Sequence, residues 1–246
     1  LSKKEIIFIA IALFWLAAGF YLFKKTRTTA DDRFISYTAD TRTEQIRLYW
    51  KDEQGKDFRN IGNLLTWTGQ HQVTLSFAMN GGMYQPDFSP VGLLIAESVL
   101  LHPADTGNGK GNFYKKPNGV FFVRPDGSAG ICITQDISRA GKMAYATQSG
   151  PMLLQDGQIN PSFKQDSANL LVRNGVGILP GGKVLFVLSK KAISFYDFAA
   201  YFKTMGCKDA LYLDGQISRA YQPAQQWEQK DGDLGVIIGV YPKTNP

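Results

Sequence analysis

Cysteine and histidine are scarce in this chain of 246 residues, with two of each. No Cys-x-x-Cys, His-Glu-x-x-His or His-x-His occurs, and His71 and His102 stand alone. The clustered ligands of a zinc site or a metal-dependent phosphodiesterase are therefore missing, and neither a metal nor another cofactor is expected. Cys132 and Cys207 lie in the apolar stretches "GICIT" and "TMGCKDALY", which favours buried free thiols over a disulfide. Gly-x-Ser-x-Gly is absent as well, so nothing points to a serine hydrolase. Charge is sparse: 20% of residues are charged and 44% are hydrophobic, a balance that excludes a disordered chain. The formal net charge is only +6, and residues 1–33 hold six basic against three acidic side chains. What remains is a faint positive excess with no basic stripe among aromatics, so nucleic acid is not an expected partner.

Long apolar runs are also rare, with one exception at the front. Residues 6–23, "IIFIAIALFWLAAGFYLF", carry no charge and are flanked by Lys3, Lys4, Lys24 and Lys25. As a helix they would extend ~27 Å, close to the thickness of a bilayer's hydrocarbon core. The run is longer than the apolar region of a signal peptide and lacks a clean small-residue cleavage site, which favours an uncleaved membrane anchor over a removed signal. The expected organisation is an anchor and linker over 1–33 and one domain over 34–246. The expected location is the cell envelope, anchored in the inner membrane with the domain on the periplasmic side.

Beyond residue 33 the patterning is mostly that of strands. "FISYT" (34–38) and "EQIRLYW" (44–50) read as arms of an early meander, and "VTLSFAM" (73–79) as a buried strand. Hairpins are signalled over 119–134, 151–159 and 172–189 by Pro-Asp-Gly, Asp-Gly and Pro-Gly-Gly turns. Two stretches change to helical period: 61–70, with Asn60 as N-cap, and 194–206, which Gly206 would stop. The expected class is α+β, a mixed and mostly antiparallel sheet with two main helices packed on it in a single domain.

Two buried strands end in the same way. "FAMNGG" stops on Asn80 and "LYLDGQ" on Asp214, each beside glycine. A tight turn explains either one alone. Several islands together carry more: "MNGGMY" (79–84), "SGPMLLQDGQ" (149–158), "RNGVGI" (173–178) and "SFYDFAAYFKTMGCKDALYLDGQIS" (194–218). In order and spacing they resemble the phosphodiester glycosidases. The resemblance implies a hydrolase acting on a glycan or sugar-phosphate substrate, with Asp214, Arg173 and Asn80 as catalytic residues. Gly81, Gly82, Tyr84, Asn174, Gly215 and Ser218 are the implied substrate-binding residues. The chain departs from the family's Leu-Asp-Gly-Gly-Gly-Ser at Gln216 and Ile217, which bears on substrate identity.

Splitting a sugar from a phosphodiester requires charge complementarity to the departing phosphate more than strong acid assistance. Arg173 offers a bidentate fork for phosphate, and Gly81 and Gly82 offer backbone N–H groups for the same anion. Asp214 suits a base, a nucleophile or an acceptor from a sugar hydroxyl, and Asn80 and Ser218 suit uncharged hydrogen bonds. Asp87 and Glu97 are further carboxylates, and Tyr84 and Phe88 are aromatics that either stack on a sugar or pack in the core. Hydrolysis of a glycosyl phosphodiester in an envelope glycan is the leading expectation. The alternative is a non-catalytic envelope protein that binds a glycan or polyanion in the same cleft.

Overall fold

Val184–Ser189 shows why so much of this chain becomes sheet. Val184, Phe186 and Leu188 pack into one hydrophobic cluster, while Leu185 and Val187 pack into another. A strand buried on both faces needs a continuous apolar run rather than an alternating one. The computed structural model describes residues 31–243. The chain divides into two units after Arg33, and the second unit carries all the sheets described below.

The first sheet has six strands: β1 (Phe34–Ala39), β12 (Val184–Ser189), β11 (Asn174–Ile178), β13 (Asp209–Asp214), β9 (Met152–Gln155) and β10 (Gln158–Ile159), in that spatial order. The second holds β15 (Trp227–Glu228), β14 (Ala220–Gln222), β3 (Phe77–Asn80), β16 (Ile237–Pro242) and β2 (Glu44–Tyr49). The third holds β5 (Val99–His102), β4 (Leu94–Ala96), β8 (Tyr145–Ser149), β6 (Gly119–Val123) and β7 (Ala129–Ile133). Their inner faces meet in one core built from Phe77, Phe121, Phe186, Leu211, Leu213 and Ile238, among others. The helices α1 (Ile61–Gln70) and α2 (Phe195–Thr204) each cover an outer face. Ile61 and Leu64 of α1 pack on Tyr49 and Ile237 of the second sheet; Phe198 and Phe202 of α2 pack on Leu185 and Ala210 of the first.

This architecture overturns the α+β expectation. Among the described residues the fold is mainly β: sixteen strands in three sheets, every pairing antiparallel, with two ten-residue α-helices as covers. Both helices form where expected, with Asn60 and Ser194 accepting from the N–H groups of Asn63 and Asp197. They are too short to make a layer. The early meander is also wrong, because β1 pairs with β12 and β2 with β16, in different sheets. The three hairpins do form, as β6–β7, β9–β10 and β11–β12. Among the described residues no helix is long and apolar enough to cross a membrane; the apolar run 6–23 lies outside them. Cys132 and Cys207 are free.

Candidate active site

Asn80 ends β3 in the second sheet, and Asp214 ends β13 in the first. The link between the two sheets is Asn174, which opens β11 and lies opposite Asp214 in the ladder. Its side-chain N–H₂ donates to both Asn80 O and Asn80 Oδ1, each at 2.8 Å, while its Oδ1 accepts from the Asp214 N–H at 2.7 Å. Asn80 Oδ1 accepts also from the Arg219 N–H, and Asn80 Nδ2 donates to Ile217 O at 2.8 Å and Asp214 Oδ2 at 3.3 Å. Asn80 and Asn174 are essentially inaccessible to solvent. A buried amide pair satisfied in this way fixes its neighbours rather than reaching for a ligand.

The group it fixes is the Asp214 carboxylate. Oδ1 accepts from the N–H groups of Gly215 (2.6 Å) and Gln216 (3.1 Å), an Asx turn made by the residue's own loop. Asp214 is 6% exposed and lines a cleft of about 640 Å³ together with Tyr84, Lys110, Asn112, Tyr114 and Gln216. Burial pushes its pKa up to about 6, against the pull of the hydrogen bonds from Gln216, Gly215 and Asn80. Among the described residues Asp214 is the one carboxylate lining this cleft and Lys110 the one cation.

Gly215 is required by close approach. A Cβ there would fall 1.7 Å from the Tyr212 hydroxyl oxygen, far inside van der Waals contact. Gly215→Ala should therefore cost roughly 1–3 kcal/mol, read by thermal unfolding. The Tyr212→Phe change in the same chain should recover part of the loss, because it removes the colliding atom. Additive losses in the double variant would mean that the glycine serves some other purpose.

The other expected site residues fall into different places. Tyr84 lines the cleft, but its hydroxyl donates to Asp233 O and its ring stacks on Phe88. The Gly81 N–H donates to Val236 O at 2.7 Å and is not free for an anion. Gly81 and Gly82 are glycines because a Cβ would press on Ile238 (3.0 Å) and on Thr147 Oγ1 (2.9 Å). The Ser218 hydroxyl, 3.3 Å from both Val172 O and Asp214 O, ties down the loop. Asp87 accepts from Ser89 in an exposed turn, and Glu97 faces Arg47 in a separate cleft.

Arg173 is the main correction. Its side chain has no exposed surface and offers no fork to the cleft. Nε donates to Ile193 O, Nη2 to both Asn169 O and Asn169 Oδ1, all at 2.8 Å, and Nη1 to the Tyr212 hydroxyl at 3.3 Å. The guanidinium carbon stands 3.7 Å from the centre of the Phe195 ring. Burial lowers its pKa, and among the described residues no carboxylate pairs with it. Arg173 thus contacts Tyr212, whose hydroxyl Asn112 also reaches, and does not itself line the cleft.

Sequence reasoning missed Lys110, Asn112 and Tyr114. They sit in the 103–118 connection between β5 and β6, where no periodicity marks them. The available signal was the length of that connection, since long loops without secondary structure are usually functional.

Comparison with known proteins matches residues 74–235 to the family described as phosphodiester glycosidase. The chain belongs to the phosphodiester glycosidase family. It is a hydrolase of that type. It is 38% identical over 188 residues to the uncharacterized protein YigE of Escherichia coli (strain K12), covering 76% of this chain and 73% of that one. Among solved structures, the catalytic domain of zebrafish N-acetylglucosamine-1-phosphodiester alpha-N-acetylglucosaminidase, auto-inhibited by its pro-peptide, superposes with a TM-score of 0.58 at 13% identity. That match covers 88% of this chain and 86% of the zebrafish chain. A hypothetical protein from Synechocystis gives 0.53 at 12% identity, over 85% and 59% of the two chains. At these identities the two structures share the fold. In this phosphodiester glycosidase the family's second and third loop glycines are Gln216 and Ile217. The Gln216 N–H still donates to Asp214, and the residue lines the cleft.

Proposed function

We propose that this phosphodiester glycosidase cuts a sugar-1-phosphate ester bond in an envelope glycan or glycoconjugate, with Asp214 as its base. The observation that carries the reading is a single carboxylate at the floor of a cleft, its pKa raised to about 6 and both strand ends locked around it. Asp214 is mostly ionised at neutral pH and close enough to its pKa to accept a proton efficiently. In the proposed step a water molecule attacks the anomeric carbon and gives its proton to Asp214. The bond from that carbon to the phosphate oxygen breaks, and its electron pair leaves with the phosphate monoester. Lys110 at the rim supplies positive charge to the departing group, and Asn112, Tyr114 and Gln216 supply polar contacts for sugar hydroxyls.

The non-catalytic alternative rested on the altered loop, but Gln216 preserves the turn that holds Asp214. The deciding experiment incubates the chain with a panel of sugar-1-phosphodiesters and assays free sugar and free phosphate monoester separately. Equal release of both is expected; binding without release would favour the alternative. Lys110→Ala should raise KM for these diesters roughly three- to tenfold, more at low salt, as for the loss of an exposed charge contact. Its unfolding should stay within ~0.5 kcal/mol of the parent. An unchanged KM would remove Lys110 from the site. The envelope location rests on the sequence of residues 6–23 and is tested by protease protection in intact cells.

A further inference from the structure

A second cavity, of about 360 Å³, opens beside the cleft, and it holds Lys115, Lys116, Lys164, Ser162, Asn169 and Phe195. No carboxylate among the described residues lines it. Among the described residues none of the three lysines forms an ion pair: Lys116 donates to Gly107 O, and the Lys115 ammonium lies 5.0 Å from the centre of the Phe195 ring. All three are exposed, so their charges can be offered to a ligand.

Position gives the cavity its meaning. Two stretches of chain pass from one site to the other: Tyr114 lines the cleft and Lys115 the cavity, and Leu171 lines the cleft and Asn169 the cavity. These shared stretches of backbone place the cavity next to the cleft. A lysine-rich, carboxylate-free cavity in that position is suited to an anion that belongs to the same substrate molecule.

We infer that the cavity is a subsite for a second phosphate of a polyanionic glycan, so that the enzyme acts on repeating sugar-phosphate chains rather than on an isolated diester. This rests on the phosphodiester glycosidase reading of the Asp214 cleft and names the substrate class for it. Lys115 and Lys164 hold the second phosphate, and Asn169, whose Oδ1 is taken by Arg173, offers it the N–H groups of its Nδ2.

The test uses the full chain in detergent and phosphate-free buffer, carrying Asp214→Asn so that nothing is cut during titration. Its probes are a synthetic oligomer of four N-acetylglucosamine 1-phosphate units and the corresponding single-unit methyl phosphodiester. The oligomer should bind more tightly than the single unit. Lys115→Gln with Lys164→Gln should weaken oligomer binding about tenfold and single-unit binding less than twofold, as expected for two exposed charge contacts. High salt should erase the oligomer's advantage. An oligomer that binds no better than the single unit, or binds the double variant as well as the parent, overturns the subsite. A chain with Asp214 intact that binds both probes and cuts neither would refute the hydrolytic reading alone.

Discussion

Asp214→Asn should lower turnover at least ~100-fold while leaving the unfolding temperature within a few degrees of the parent. The structure explains why the two readouts separate. The asparagine Oδ1 must stay with the N–H groups of Gly215 and Gln216, which turns its Nδ2 toward Asn80 Nδ2, where Oδ2 now stands at 3.3 Å. Asn80 cannot flip to accommodate it, because its Oδ1 already accepts from Asn174 and Arg219. Two donors then face each other, a loss of ~1–2 kcal/mol. Against this, the substitution removes a buried charge. Burial holds the carboxyl's pKa at about 6 in the fold, against an ordinary value of 3.8. The folded protein therefore holds this proton more tightly than the unfolded chain does. The stabilisation is fully present below about pH 4 and is lost as pH rises through about 6, and the difference is on the order of 3 kcal/mol. The variant lacks this loss, so the two effects oppose each other at neutral pH.

The same pKa sets the direction of the rate profile. A base must be ionised, so kcat/KM should rise with pH, fall about tenfold per unit below pH 6 and level off above it. Residual activity in Asp214→Asn should lack that limb. A profile that falls above pH 6 would make Asp214 an acid and overturn the proposed role.

How far the sequence could be read depended on whether a residue's partners were local. β12 and β13 were legible because their continuous apolar runs are buried on both faces. α1 and α2 were legible because their caps lie within three residues. That β1 and β2 join different sheets was not, because pairing with β12 and β16 is decided by residues more than a hundred positions away. The site followed the same rule. Asn80 and Asp214 stood out as polar ends of buried strands, and the family resemblance supplied Asn174. The glycine pair 81–82 looked like an anion nest, yet its requirement is tertiary contact with Ile238 and Thr147. Lys110 lay in a loop with no pattern to mark it.

Arg173 is where local reading failed most, and its substitution should cause the largest loss of stability in the site. Arg173→Ala leaves Asn169 O and Asn169 Oδ1 without this donor, leaves Ile193 O with only the Leu171 N–H at 3.3 Å, opens a void under Phe195 and leaves the Tyr212 hydroxyl to Asn112. Breaking a buried, charge-assisted network of this kind costs roughly 3–5 kcal/mol. At ~2–4 °C per kcal/mol for a domain of this size, the unfolding temperature should fall by about 6–20 °C. Lysine is no remedy. Its single ammonium cannot span acceptors set around a planar fork, and it cannot lie flat on the Phe195 ring, so Arg173→Lys should lose at least half as much. Turnover should fall in both variants through kcat more than KM, because Tyr212 sits under Gly215 beside the Asp214 turn and Arg173 does not touch the cleft. A fork that clamped substrate phosphate directly would behave in the opposite way. Arg173→Lys would then unfold like the parent and show a raised KM for phosphodiesters alone, and that result would return Arg173 to the substrate.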